Sequence, residues 1–456
     1  MKWKLLCLSF VIVLSTNALG QNINTEPVNT TKQWTLQSCL EYALEQNIQL
    51  QQNRISSMES EIDVQSAKAA LFPNLSFNSG HNITNRPYQQ NSTTVNGSEI
   101  ITSNNKTTYS GNYGLSANWT VWDGNKKLNN LKQQKLTNQI ADLNVQKTAN
   151  SLQEQIAQLF IQILYANESV QVNKNTVEVS QSTYNRGEEL YKEGSISKVD
   201  LAQLEAQLSN DQYQLVTSEN TLRNYKLQLK QLLELDGTTE IQLILPKIED
   251  ESVLRLLPNQ MDIYQQALSF RPEIESSKLS IENSKLGISI AKAGYLPTLN
   301  LNASSSSMTT NAGNTSWTKQ MKNGWNNTIG LSVSIPILDN RQNKSAVQKA
   351  KLQYDSSQLD LINKQKELYQ TVESMYLDAI NAQEQYKAAE MNMKSYQTSY
   401  DLVREQFNLG MKNTIELLTE KNNLLNAQQQ RIQAKYMAIL NRALLEFYAS
   451  GKIEIV

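Results

Sequence analysis

Residues 109–122 read YSGNYGLSANWTVW, and this stretch decides the architecture. Tyr109, Gly111, Tyr113, Leu115, Ala117, Trp119 and Val121 alternate with Ser110, Asn112, Gly114, Ser116, Asn118 and Thr120. A period of two gives a β-strand one apolar face and one small, polar face. Residues 328–337, TIGLSVSIPI, repeat the pattern with Ile329, Leu331, Val333, Ile335 and Ile337 on the apolar side. Shorter partners precede each run, at Leu75 and Phe77 and at Leu299, Leu301 and Ala303. The pattern predicts strands over about 73–83, 108–122, 297–304 and 327–338. The intervening stretches, 84–106 and 304–325, are rich in Asn, Ser, Thr and Gly and read as solvated, mobile loops. The run from Asn112 to Trp122 matches the ~9–11 residues with which a tilted strand crosses a bilayer. A soluble hairpin would bury its apolar face on a core, and the sequence leaves no core to spare. Polar-in, apolar-out alternation suits a water-filled transmembrane barrel.

Outward from these strands the chain is poor in breakers. Of 456 residues, 16 are Gly and 8 are Pro, against the usual ~7% and ~5%. No proline lies between 88 and 245 or after 336, and Gly187 is the only glycine from Asn125 to Glu193. A continuous helix there would be ~100 Å long. Such a helix must pack on other helices. Leu201, Leu208, Leu215, Leu222 and Leu229 recur every seven residues, the seam of a coiled coil. The corresponding positions later in the chain are Leu417, Leu424, Arg431, Ala438 and Leu445.

That correspondence extends along the chain. AKAALFPNL (67–75) resembles AKAGYLPTL (291–299), and GLS occurs at 114–116 and 330–332, each followed seven residues after its Ser by an Asp, Asp123 and Asp339. Tyr184, Gly194, Leu201, Leu208, Asn210, Gln212 and Gln214 all find identical residues 216 positions later. The chain therefore reads as a tandem duplication, 34–235 and 262–450, joined by a linker over 236–261.

Lys2 and Lys4, the apolar run Leu5–Leu14 and Ala18-Leu19-Gly20 predict a secretory signal peptide over 1–20. That run is too short to span a membrane as a helix. With 42 Lys+Arg against 43 Asp+Glu, the chain lacks the basic excess of a nucleic-acid binder. One histidine, His81, and two cysteines, Cys7 and Cys39, leave almost no material for Cys/His metal clusters or His-based triads. No nucleophile–base set, phosphate loop or metal spacing is present, so neither enzyme, metal nor cofactor is expected. His81 reads as a plain surface or lumen residue.

Four strands per chain are too few to seal a barrel, because open edges do not survive in hydrocarbon. Identical copies must supply the rest. Two would give a barrel filled by side chains, and three would give twelve strands and a lumen. The long helices would then form a tube beneath it. A second reading stays open: a non-conducting coiled-coil structural protein or adhesin of the envelope, which the heptads allow and the alternating strands oppose.

The order helix, strand pair, long helix, glycine hairpin and helix, given twice with the AKA…P junctions and hairpins at Gly194 and Gly410, resembles the TolC family of outer-membrane efflux and secretion ducts. The resemblance implies a mainly α fold with membrane β. In it a trimeric twelve-strand β-barrel continues into a long periplasmic α-helical barrel. It implies a Gram-negative outer-membrane location, and a passive channel of a tripartite efflux or type I secretion system. The partners would be a periplasmic adaptor and an inner-membrane RND or ABC transporter. It places Gly194, Ser195, Gly410 and Met411 at adaptor-docking hairpins. Glu416 would point into the narrowed pore, and Asp200 would bond a basic residue on the neighbouring hairpin, here Lys412. A ring of such carboxylates would raise some of their pKa values and attract plugging cations. Two positions depart from the family: Thr419 replaces a second pore acid, and Phe407 replaces a gate tyrosine. Trp119, Trp122, Tyr109 and Tyr113 are candidate membrane-interface aromatics.

Overall fold

The structure is a computed structural model, and it describes residues 33–455 except 89, 97–98, 238–240, 247–249, 313–314 and 454. The expected signal peptide lies outside the described residues. The first part of the chain runs β1 (Gln33–Trp34), α1 (Leu36–Gln46), α2 (Ile48–Ala69), β2 (Asn74–Asn85), β3 (Ser92–Asn96), β4 (Glu99–Ser103), β5 (Thr107–Trp122), α3 (Lys126–Lys192) and α4 (Lys198–Leu232). After β6 (Gln242–Leu243) and α5 (Asp250–Val253) come α6 (Gln260–Phe270), α7 (Pro272–Ala293), β7 (Thr298–Thr310), α8 (Trp317–Asn323), β8 (Asn326–Ser334), α9 (Gln342–Asn408) and α10 (Thr414–Ser450). Both α3 and α9 are 67 residues long, so each spans ~100 Å at ~1.5 Å per residue. Among the described residues, no helix is long and apolar enough to cross a membrane.

The aspartates found by pattern form the joints between strands and long helices. Asp123 accepts from the Lys127 amide at 3.1 Å, and Asp339 from the Asn343 amide at 2.8 Å. Each carboxylate satisfies an N–H that the first helical turn leaves open. Its charge also faces the positive end of the helix dipole. Left-handed residues turn the chain into each helix, Asn125 at φ 66° and Arg341 at φ 64°.

The main sheet is antiparallel in the order β2-β5-β7-β8. Its register sets Leu75 opposite Ala117, Ala117 opposite Ala303, and Ala303 opposite Ile329. Leu75, Phe77, Leu115, Trp119, Leu301, Leu331 and Val333 share that face, and it is bare: Phe77 is 68% exposed and Ile329 80%. The opposite face carries Ser76, Asn78, Ser116, Asn118, Asn302 and Ser332. A bulge sets Trp119 opposite Leu301 and Trp122 opposite Leu299. Without it, their odd spacing would put the two indoles on opposite faces.

Two expectations about the strands need correction. β7 continues to Thr310, and β8 stops at Ser334. The Ser/Thr run 304–310 lacks apolar alternation yet still completes a ladder with β5, whereas Pro336 has no N–H to extend one. The stretches read as loops also carry structure, the β3–β4 hairpin and α8.

The buried core lies around the middle of the helices. Ile156, Ile163, Leu229, Ile263, Val372, Leu445 and Phe447 gather there with Trp34 and Leu50. Each such side chain contributes about 1.5–3 kcal/mol on burial. The linker docks on a second cluster: Val253, 1% exposed, packs with Phe160, Tyr386 and Ile432, and Gln383 Nε2 donates to the carbonyls of Val253 and Arg255 at 3.0 and 2.8 Å.

Candidate functional site at the paired hairpins

The α3–α4 and α9–α10 turns are built alike. Gly194 has φ 74° and Gly410 φ 73°. Ser195 N–H donates back to Leu190 O at 2.8 Å, and Met411 N–H to Gln406 O at 2.8 Å. These 6→1 bonds close a left-handed helix end, where glycine carries no Cβ penalty. A Cβ at either glycine would meet nothing within 4 Å, so the backbone angle, not space, demands glycine.

The next helix in each hairpin opens with a reciprocal capping box. Ser197 caps Asp200, and Asn413 caps Glu416. Asp200 accepts from the Ser197 hydroxyl at 2.7 Å and the Ser197 amide at 3.0 Å, which together hold its carboxyl below the usual range. Glu416 accepts from Lys412 Nζ at 2.5 Å and from the Asn413 amide at 3.2 Å. Lys412 first, then that amide, holds Glu416 low as well. Within the chain Lys412 thus reaches Glu416 four residues on, while Asp200 is engaged by its own cap. Within one chain, a cation rather than a second acid is the neighbour that sets this shift. Both acids line a cleft of about 640 Å³ between the hairpins, with Gly194, Ser195, Phe407, Gly410, Met411 and Lys412. Phe407 is 4% exposed and packs with Leu190, Tyr400, Leu417 and Leu424. Its ring thus sits inside a small packed cluster directly above the turn.

Sequence reasoning missed the contacts that join the two hairpins. Asp211 on α4 accepts from Lys421 on α10 and from Ser180 on α3, with Asp211 2% exposed and Lys421 6%. Lys421 also reaches Ser180. Burial pulls the Lys421 ammonium below its usual value against the opposing pull of Asp211. Gln207 donates to Asn422 at 3.2 Å, and Ser169 donates to Gln429 at 2.9 Å. The hairpins thus meet along a polar ladder. A signal existed: Asp211 follows Leu204 and Leu208, and Lys421 stands between Leu417 and Leu424, at seam spacing.

Farther up, Arg431 takes the place that Leu215 holds in the first run of sevens. It pairs with Glu390 on α9 and with Asp250 of the linker at 2.5 Å, while Lys435 reaches Asp250 at 2.7 Å. Burial opposes ionisation of both acids, yet the cations outweigh it and hold their pKa values low. Asp250 thereby ties the linker to α10.

The four interface candidates all stand on the sheet. Trp119 Nε1 donates to Leu71 O at 2.8 Å near the helices. Tyr109 and Tyr113 lie toward the far end with His81, whose Nδ1 is 2.6 Å from the Tyr109 hydroxyl. His81 also stacks on Tyr109 at 5.9 Å and meets Tyr113 edge-on at 5.4 Å. It is part of an aromatic cluster on the apolar face, not an isolated polar residue.

Known proteins match this architecture. Residues 39–234 and 263–449 match the outer membrane efflux protein family. Outer membrane protein TolC of Escherichia coli is 25% identical over 367 residues, covering 72% of each chain. Alkaline protease secretion protein AprF of Pseudomonas aeruginosa is 21% identical over 311 residues, 68% of this chain and 63% of AprF. The chain thus aligns with under two thirds of AprF's length. In fold it is similar to CusC, with a TM-score of 0.78 and 16% identity over 91% of this chain and 92% of the other. It is also similar to VceC of Vibrio cholerae, at 0.73 and 13% over 91% and 96%. The two matched segments take in the four strands of the main sheet and the four longest coiled-coil helices, and the chain belongs to the outer membrane efflux protein family.

Proposed function

We propose that this chain is the outer-membrane channel of a tripartite efflux or type I secretion system. It passively exports substrates that an inner-membrane pump, of RND or ABC class, delivers through a periplasmic adaptor. The observation that carries this reading is the four-stranded sheet, apolar and bare on one face, polar on the other. Among the described residues β2 pairs only with β5, and β8 only with β7. Both edges need partners in hydrocarbon. Three copies joined β8 to β2 would make a twelve-strand barrel, with the helices continuing as a cylinder into the periplasm. The ten-residue step from Tyr109 to Trp119 is ~34 Å of strand, or about 24 Å when tilted ~45°. That fits the ~25 Å apolar band of such barrels with an aromatic girdle at each side.

At the far end of the cylinder, the hairpins would converge. Glu416 would line the pore, with Asp200, Lys412 and Phe407 setting the closed state. Gly194, Ser195, Gly410 and Met411 would face the adaptor. The halves 34–235 and 262–450 would be structural repeats of one ancestral unit. Detergent-extracted protein should have the mass of three chains, migrate differently on gels before and after heating, and conduct ions in planar bilayers. A monomeric species without conductance would instead support the coiled-coil structural reading.

A further inference from the structure

The segment between β7 and β8 does not project freely. α8 folds back onto the sheet, on the same face as the apolar band. Ser307 Oγ donates to Met321 O at 2.9 Å. Gln320, 3% exposed, accepts from the Thr310 amide at 2.6 Å and donates to the Thr310 and Thr315 carbonyls at 2.9 and 2.7 Å. The Trp317 ring meets Tyr113 edge-on at 6.2 Å. Tyr113 and Ser307 are opposed in the ladder, and both stand on the face of Leu115, Leu301 and Ala303. α8 therefore sits outside the polar face, directly beyond the apolar band. Its outer surface is aromatic and cationic: Trp317 is 56% exposed, Trp325 63%, and Lys319 and Lys322 are exposed between them.

The charge distribution points the same way. The chain is nearly neutral, with 42 basic residues against 43 acidic. Yet 74–122 and 298–338 hold Arg86, Lys106, Lys319 and Lys322 against Glu99 as their one acid. All four cations fall in the segments at the end of the sheet away from the long helices, and none on its apolar band. Indoles favour the headgroup level, and lysine stems lie along apolar surface while the ammonium reaches outward.

We infer that α8 with Trp325 is a lipid-headgroup clamp, in which Lys319 and Lys322 bind the phosphates of an anionic glycolipid in the outer leaflet. The inference rests on the transmembrane-barrel reading. A ligand reaching this surface must share the layer that covers Leu301, Ile329 and Leu331, because the surface is continuous with that face. Lipid answers that condition and a soluble protein does not. Each lysine near an anionic surface strengthens binding about fivefold, so the pair should give on the order of twentyfold preference for a phosphorylated headgroup.

The test uses the full-length assembly in neutral-lipid nanodiscs doped with diphosphoryl lipid A or with its dephosphorylated form. Retained glycolipid is counted by native mass spectrometry, and conductance is measured on the same preparations. Wild type should retain the diphosphoryl form at least tenfold better. Lys319→Gln/Lys322→Gln should lose most of that preference while keeping assembly mass and conductance, and Trp317→Ala should weaken retention of both forms. Equal retention of the two forms by wild type, or unchanged preference in the double variant, overturns the clamp while leaving the channel intact. Wild-type protein that neither assembles nor conducts overturns the channel reading, and the clamp with it.

Discussion

Lys421 on α10 reaches across to the Asp211 carboxylate on α4, and both groups are closed off from water. One ion pair thereby joins the two helical hairpins just above their turns. Its two partners belong to coils whose own seams are leucine, so the pair sets how the coils sit against each other.

Removing one partner should hurt more than removing both. Lys421→Ala leaves Asp211 buried and unpaired, at a cost of about 3–5 kcal/mol. Asp211→Leu/Lys421→Leu exchanges the pair for apolar volume and should be close to neutral. Thermal loss of helical circular dichroism in the purified protein orders the variants. Equal losses in the single and double variants would show that the pair is not isolated from solvent.

Acid should release the linker before it melts the coils. The Asp250 and Glu390 pKa values lie lower folded than unfolded. The stability they contribute is therefore present above the unfolded carboxylate range, ~4, and is lost as pH falls through the folded values. Cleavage near 250–255 in limited proteolysis should rise sharply below about pH 4. Arg431→Gln should show that cleavage already at neutral pH, with a smaller further rise in acid.

The turn glycines should be costly to replace for a conformational reason alone. Gly410→Ala and Gly194→Ala each place a Cβ in the left-handed region, at about 1–2 kcal/mol. Asn should recover most of that loss, because it tolerates this region and the surrounding space is open. Melting temperatures of the paired Ala and Asn variants decide it.

Much of the sheet was legible because a strand sends alternate side chains to opposite faces, and one face here is apolar, as at Leu115, Ala117 and Trp119. What escaped were contacts between polar residues. The Ser/Thr end of β7 carries no apolar rhythm, so its pairing with β5 left no trace in the pattern. α8 was hidden by a composition that also describes a loop, and its anchor is one buried side chain, Gln320. Asp211 and Lys421 stood visibly on leucine seams, but only the packed coils show that they face each other. The hairpin glycines were plain from sequence, whereas the Lys412–Glu416 pair needed the cap geometry.

Glu416 gives the pore proposal its sharpest reading. Glu416→Ala should abolish block of single-channel current by trivalent cations, and an unchanged block would remove this residue from the pore. Within one chain Lys412 holds the Glu416 pKa low. Lys412→Ala removes the main cause of that lowering, so its block should fade at a higher pH than in wild type.

A four-stranded sheet with β2 at one end and β8 at the other presents unlike edges. In the proposed ring, contacts between copies would then be head-to-tail, with each chain both donor and acceptor. A variant with a ruined β8 but a sound β2 would still be recruited, then stop the arc from closing. Such an allele would act dominantly. With half the chains faulty, only about one three-membered ring in eight would be whole.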